Sequence, residues 1–146
     1  ALTHLTKLFL RDMVGHGRGR ILNVASTAAF QPGPGMAVYY ASKAYVLSFT
    51  EAIADELRGT GVTATALCPG PTRTEFQVRA GIERTRLFET VTTMDAATVA
   101  KLGYAALIKG RPLVVTGWRN RLFAFSTRFV PRAILARTIS ILHRNA

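Results

Sequence analysis

The spacing of hydrophobic residues predicts three helices in the first 110 positions. Apolar side chains recur every three or four residues in 1–14, and a glycine cluster at 15–19 then interrupts the pattern. Residues 38–58 are apolar at first and polar later, and a third helical pattern runs over 95–109, with Asp95 at its N-cap position. A glycine follows each stretch, as is common at the C-termini of helices.

Each predicted helix is followed by a short, mostly apolar run that is predicted to be a strand: residues 20–25, 62–68 and 113–116. This alternation predicts parallel strands joined by right-handed helical crossovers. The fold class is therefore α/β: a partial, Rossmann-like, doubly wound parallel sheet with flanking helices and a C-terminal helical tail. The strand at 20–25 would keep an unpaired edge, so we expect the chain to be the C-terminal half of a larger domain.

The segments between these elements carry weaker patterns. The cluster at 15–19 precedes a strand, whereas a phosphate-binding loop follows a strand and opens a helix, so we interpret it as a turn. Residues 28–35 are predicted to form a loop, in which the glycine- and proline-rich stretch 31–35 excludes regular structure. Residues 69–71 are predicted to form a sharp turn. Residues 72–93 are polar, and some of them are expected to be helical.

Charge divides the chain into two parts. The formal net charge is +11, and residues 96–146 contain nine Lys/Arg and no acidic residue. We therefore assign residues 1–117 to one domain and residues 118–146 to a basic amphipathic tail, in which Pro131 begins a helix. Three interpretations of the tail stay open: a basic face packed on its own domain or on a partner, a peripheral membrane contact and, least favoured, nucleic-acid binding.

Composition limits the other classes of function. The single cysteine, Cys68, excludes an intrachain disulfide and favours a cytoplasmic location, with membrane contact at most peripheral. No apolar stretch reaches the roughly 18 residues of a membrane span, and no secretory leader is visible. The three histidines, His4, His16 and His143, lack metal-ligand spacing, so no metal site is predicted. The basic residues are not organised on one helix or strand, so we predict no nucleic-acid partner.

The most specific chemical signal lies in residues 38–43, Val-Tyr-Tyr-Ala-Ser-Lys. Tyr39 and Lys43 are about one helical turn apart, so they project from the same face. A phenol has an unperturbed pKa near 10, and a nearby ammonium lowers that pKa toward the range that suits a general acid/base. Because a Tyr-x-x-x-Lys pair is common in helices, a catalytic role needs further support.

Two strand ends supply that support. Ser26 follows the strand at 20–25, and the turn at 69–71 follows the next parallel strand. Open α/β sheets bind their ligands at the carboxyl ends of such strands. We therefore expect Ser26, Tyr39 and the 69–71 turn to converge on one edge of the sheet, with the Ser26 hydroxyl holding a substrate oxygen in front of Tyr39.

These residues resemble the C-terminal half of the short-chain dehydrogenase/reductase family. The resemblance rests on Asn-Val-Ala-Ser at 23–26, on Tyr39 and Lys43 beginning thirteen residues after the serine, and on Pro-Gly-Pro-Thr-Arg-Thr at 69–74. It implies hydride transfer between NAD(P)(H), with NADP(H) slightly favoured, and a small-molecule carbonyl or alcohol. The tail resembles a subgroup of the family that acts on lipophilic, 3-oxoacyl or steroid-like substrates.

The resemblance also implies a role for each residue. Tyr39 would be the general acid/base, Lys43 would lower its pKa and bind the nicotinamide ribose, and Ser26 would polarise the substrate oxygen. The remaining cofactor contacts would come from Pro69, Gly70, Thr72 and Thr74. Residues 75–93 would form a substrate lid, and residues 1–14 and 38–58 would form the interface of a homodimer or homotetramer.

Several parts of the family's pattern have no counterpart in this sequence. They are the glycine-rich pyrophosphate loop, the residue that selects NAD or NADP, and the Asn-Asn-Ala-Gly strand; a fourth catalytic residue, an asparagine, would precede Ala1. We therefore expect residues 1–146 alone to bind NAD(P) weakly or not at all and to be inactive. The alternatives to a reductase are a non-catalytic interaction fragment and, less favoured, a basic nucleic-acid-binding module.

Overall fold

The structure is a computed structural model that describes residues 1–75 and 93–143. The α-helices in these ranges are α1 (Leu2–Gly15), α2 (Ala37–Glu56), α3 (Ala96–Ile108), α4 (Trp118–Ser126) and α5 (Arg132–His143). The strands are β1 (Gly19–Val24), β2 (Val62–Cys68), β3 (Thr72–Arg73), β4 (Met94–Asp95) and β5 (Leu113–Val115), and a 3-10 helix spans Thr27–Phe30.

The main sheet has the strand order β1–β2–β5, and both pairs are parallel. β1 and β2 are in register from Gly19 opposite Val62 to Val24 opposite Leu67. The predicted α/β fold with parallel strands is thereby confirmed. Because Val24 at the end of β1 pairs with Leu67 near the end of β2, both strands end at the same edge of the sheet. Ligands of open α/β folds bind at this edge.

Two features of the loops differ from the sequence-based expectation. The segment 28–35 was expected to form a loop, but its first residues continue the 3-10 helix that Ser26 caps. β3 and β4 form a separate parallel pair that hydrophobic spacing did not predict, since two-residue strands are too short for any periodicity. The helical segment expected within 72–93, and most of the lid at 75–93, fall outside the described residues.

α2 packs across β1 and β2, largely through apolar contacts. Val46 and Leu47 lie against Ala66 and Cys68 in one cluster of the core. One polar contact is buried among them, because the side-chain amide of Asn23 in β1 donates to Thr50 Oγ1 over 3.0 Å. Buried polar groups are strongly destabilising unless they are paired, so this bond specifies how α2 sits on the strand.

The tail consists of two helices, whereas the sequence predicted only the one that follows Pro131. α4 packs against β5 and the 3-10 helix. In α5, Ile139 is buried in a cluster with Ala28 and Tyr40. The described part of the tail therefore packs on the rest of the chain, and the domain boundary at residue 117 stays a prediction. None of the helices in the described ranges is both long and apolar enough to cross a membrane.

Replacing the buried Thr50 with valine should destabilise the fold. Thr50 is fully buried, accepts from Asn23 and donates to the Val46 carbonyl over 2.6 Å. Thr50→Val keeps the shape but leaves the Asn23 amide without this partner, so we expect a loss of about 1–3 kcal/mol in the free energy of unfolding, measured with urea.

Thr138→Val is the matched control for that measurement. Thr138 also donates to the carbonyl four residues earlier, that of Ile134, but it is exposed. Its substitution should change the unfolding free energy by less than about 0.5 kcal/mol. Equal effects at the two threonines would contradict the role of the Asn23–Thr50 bond.

Candidate active site

Ser26 lies in the turn that follows β1, at the carboxyl edge of the sheet. Its hydroxyl accepts a hydrogen bond from the backbone N–H of Ala28 over 3.1 Å and so caps the 3-10 helix. The same hydroxyl donates to the carbonyl of Pro69 over 3.5 Å, which is a long and therefore weak bond. A hydroxyl held this loosely can turn toward another oxygen acceptor without a large loss of free energy.

Tyr39 and Lys43 lie in the first half of α2 and face each other as their spacing predicted. The Lys43 ammonium is 5.7 Å from the centroid of the Tyr39 ring. It also donates over 3.0 Å to the carbonyl of Val24, the last residue of β1. Lys43 thus links the Tyr39 face of α2 to the strand end that precedes Ser26.

Burial changes the protonation chemistry around Lys43. Partial burial lowers the pKa of its ammonium, and the neighbouring Cys68 opposes this shift in part. Burial raises the pKa of the Cys68 thiol to about 12, so Cys68 is a neutral core side chain at ordinary pH. The polar side chains of the site are therefore Ser26, Tyr39 and Lys43, and the Cys68 thiol stays protonated beside them.

The predicted turn at 69–71 meets the end of β1. The carbonyl of Pro69 accepts from the backbone N–H of Thr27 over 2.8 Å, in addition to its contact with Ser26. One residue further on, the Gly70 carbonyl accepts from Thr72 Oγ1 over 2.9 Å, and Thr74 is exposed. The strand ends are therefore tied together as predicted, and they place carbonyls and hydroxyls along one rim.

Sequence reasoning missed two residues that contact the segments around this site. Asn120 of α4 lies over Gly70, so closely that a Cβ on that glycine would collide with the Asn120 amide. Its amide also donates to the Thr116 carbonyl over 2.7 Å. His143 of α5 bonds to the hydroxyl of Tyr40, which follows Tyr39 on α2. Both contacts join distant parts of the chain, so no local pattern could have indicated them.

No group of three or more His, Cys, Asp or Glu side chains lies close enough to hold a metal ion within residues 1–75 and 93–143. The site in the described ranges is a rim of hydroxyls, carbonyls, one phenol and one ammonium. Such a set can hold and protonate an oxygen atom and can bind amide and hydroxyl groups.

Comparison with known proteins gives consistent matches. The sequence profile described as short chain dehydrogenase matches residues 1–103. Sulfoacetaldehyde reductase 2 from Chromohalobacter salexigens is 39% identical over 133 residues, which are 87% of this chain and 51% of that protein. The 3-oxoacyl-[acyl-carrier-protein] reductase of Synechocystis sp. is 43% identical over 65 residues, or 44% of this chain and 26% of that reductase.

A solved structure agrees with these matches. The short-chain dehydrogenase from Sphingobium yanoikuyae, determined in complex with NADPH, superposes with a TM-score of 0.72 at 27% identity. The superposition covers 88% of this chain and 50% of that protein. The chain thus spans about half the length of sulfoacetaldehyde reductase 2 and about half the length of the Sphingobium dehydrogenase.

Because the Cys68 thiol and the Tyr40 phenol are buried, the free energy of unfolding should fall at alkaline pH. Burial raises the pKa of both groups to about 12, so the folded state keeps them neutral. Below about pH 9 both groups are neutral in the folded and in the unfolded chain, so their burial does not reduce stability there. Above about pH 9 they ionise in the unfolded chain but not in the folded one. The free energy of unfolding should therefore fall as the pH rises from about 9 toward 12.

Urea unfolding at several pH values, with wild type and Cys68→Ala, measures this dependence. The variant should lose less stability than wild type between about pH 9 and pH 11, whatever its stability at pH 7. Parallel curves for the two proteins would mean that the thiol does not contribute to the alkaline loss.

Proposed function

The chain belongs to the short-chain dehydrogenase family, and we propose that Ser26, Tyr39 and Lys43 form the acid/base centre of an NAD(P)-dependent oxidoreductase. The observation that carries this proposal is the position of Lys43. Its ammonium lies beside the Tyr39 ring and binds the end of β1, close to Ser26. Three side chains from two elements are thus available at one edge of the sheet.

Each side chain has a chemical task in carbonyl reduction. The Tyr39 phenol donates a proton to the carbonyl oxygen, and in alcohol oxidation the phenolate accepts it. The positive charge of Lys43 stabilises that phenolate electrostatically. Ser26 donates its hydroxyl proton in a hydrogen bond to the same oxygen and thereby holds the carbonyl in front of the phenol. The nicotinamide cofactor, when bound, supplies or accepts the hydride.

The rim suits the nicotinamide end of such a cofactor. An ammonium has three donors, so Lys43 can bind a ribose hydroxyl while it keeps its bond to Val24. The carboxamide would contact the segment Pro69, Gly70, Thr72 and Thr74. Since the Sphingobium relative was determined with NADPH, we propose NADP(H) as the preferred cofactor.

Apolar neighbours of Tyr39 bear on the substrate. Tyr39 packs against a cluster to which Met36 and Leu142 also contribute. A carbonyl bound at the phenol would therefore lie beside hydrophobic side chains, which favours a lipophilic or acyl substrate over a small charged one. The similarity to the 3-oxoacyl reductase is in line with this substrate class.

The proposed subunit interface involves α1 and α2. Leu5, Leu8 and Phe9 of α1 are each more than half exposed, as is Tyr45 of α2. Tyr45 also shares a 2.6 Å hydrogen bond with Thr3, which joins the two helices. Contiguous exposed apolar side chains of this kind favour association, and we propose that a second copy covers them in a homodimer or homotetramer.

A second proposed surface lies on the tail and would contact anionic membranes. We call Trp118, Leu122, Phe125 and Phe129 the aromatic stripe; each is more than half exposed, and their spacing is helical. Arg119 lies over the Trp118 ring and Arg128 over the Phe125 ring. Among the described residues the sole ion pair joins Arg58 to Asp55, so these arginines have no carboxylate partner there. Aromatic rings flanked by arginines suit a lipid interface.

Tyr39→Phe tests the catalytic proposal in the full-length protein. With NADPH and a set of carbonyls that includes sulfoacetaldehyde and a 3-oxoacyl thioester, kcat should fall about 10²- to 10⁴-fold, because the proton donor is lost. Binding of NADPH, followed by its fluorescence, should persist. Tyr104→Phe, at an exposed tyrosine of α3, should keep its activity. Full activity of Tyr39→Phe would favour the alternative of a non-catalytic interaction fragment.

Vesicle co-sedimentation tests the membrane proposal. Each arginine near an anionic surface contributes about 1 kcal/mol, so Arg119→Gln with Arg128→Gln should weaken binding to phosphatidylserine vesicles about thirtyfold. Lys101→Gln with Lys109→Gln removes the same charge from α3 and should have a smaller effect. Equal losses would indicate attraction by net charge alone, and no binding by wild type would exclude the membrane contact.

A further inference from the structure

Tyr40 is placed very differently from the proposed catalytic residue beside it. Its side chain is only 6% exposed, although it follows Tyr39 directly on α2. The Tyr40 ring lies against Gly33, where a Cβ would collide with it, and it makes an edge-to-face contact with the Tyr39 ring at 5.9 Å. Tyr40 therefore touches both the Tyr39 ring and the loop before α2.

The Tyr40 hydroxyl is joined to the C-terminal helix. It lies 2.9 Å from Nε2 of His143, and Nδ1 of His143 lies 2.9 Å from the carbonyl of Pro34. A carbonyl can only accept, so Nδ1 carries a proton and donates to Pro34. In the neutral imidazole Nε2 then accepts from the Tyr40 hydroxyl. We call this chain of bonds the Tyr40–His143–Pro34 clamp.

The start of α2 lacks the side-chain cap that commonly holds the first turn of a helix. Met36 occupies the N-cap position and makes no side-chain cap hydrogen bond. The preceding loop contains two prolines, and Gly35 has a positive φ of 83°, so the loop cannot continue the helix backward. The clamp holds the carbonyl of Pro34 and so ties this loop to α5.

The helix that supplies His143 lies outside the part of the chain that matches the family profile, which ends at residue 103. The clamp bonds span 103 and 109 positions of sequence. Beside them, Ile139 and Leu142 of α5 pack in the same cluster as Tyr39. α5 therefore packs in the same cluster as the proposed acid/base residue and lies outside the matched segment.

We propose that Tyr40 and His143 are positioning residues for Tyr39, so that the C-terminal helix α5 sets the orientation of the catalytic phenol. This inference rests on the proposed function. If the clamp is broken, the first turn of α2 can shift, and the Tyr39 ring moves relative to Lys43 and to the substrate oxygen. Small displacements of a proton donor slow catalysis strongly.

The first test observes the clamp without any cofactor or substrate. Nitrogen NMR of the imidazoles in the full-length protein should show His143 as the tautomer with a proton on Nδ1. In Tyr40→Phe the Nε2 resonance should shift, because its hydrogen-bond donor is lost, while the resonances of His4 and His16 stay in place. A His143 that exchanges between both tautomers in wild type would contradict the clamp.

The second test separates positioning from general stability. In Tyr40→Phe and in His143→Leu, which keep the packing, kcat should fall roughly ten- to a hundredfold with little change in KM, and the pH profile of kcat should move. The double variant should be no worse than either single one, because both break one chain of bonds. His143→Gln, which retains an amide donor, should recover part of kcat.

Controls distinguish failure of this inference from failure of the proposed function. Leu135→Val loosens the buried side of the same helix away from the clamp and should lower the melting temperature without changing kcat. If Tyr39→Phe is inactive while Tyr40→Phe and His143→Leu match wild type, the function stands and the positioning role is wrong. If Tyr39→Phe keeps full activity, the catalytic proposal itself fails, and the NMR result alone then decides whether the clamp exists.

Discussion

The candidate site depends on the register of β1 and β2, which brings the C-terminal ends of both strands to the same edge of the sheet. Six parallel residue pairs bring Val24 opposite Leu67, so the two chains leave the sheet at the same height. The carbonyl of Pro69 can then accept from the backbone of Thr27 and face the hydroxyl of Ser26. A shift of one residue in this register would turn every side chain of β1 to the other face and remove Ser26 from the rim.

Two polar contacts join α2 to β1. The Asn23–Thr50 bond lies in the core, and the Lys43–Val24 bond lies at the strand end. Partial burial disfavours the charged ammonium, so a lysine here needs a compensating partner, which the Val24 carbonyl provides. Apolar packing is not directional, whereas these bonds determine which residues of the helix face the strand ends.

The parts of the fold that hydrophobic spacing could predict are those specified by neighbouring residues. The apolar run 62–68 is observed as β2 with those bounds, and Asp95 caps α3 through a 2.8 Å bond to the Thr98 N–H. The placement of Tyr39 beside Lys43 also follows from local helical spacing. The contacts of Asn120 with Gly70 and of His143 with Tyr40 depend on how α4 and α5 return to the sheet, which no local pattern encodes.

Charge alone could not show from the sequence what residues 118–146 contact. Its arginines and aromatic residues were compatible with packing, with a membrane and with nucleic acid, because composition does not say which side of a helix is covered. In the structure Ile139 and His143 face the start of α2, whereas the aromatic stripe is exposed. The tail residues that pack on the start of α2 therefore differ from the exposed tail residues that would contact a membrane. Deleting the whole tail would remove both, so only substitutions confined to one face can distinguish a role in the active site from a role at a surface.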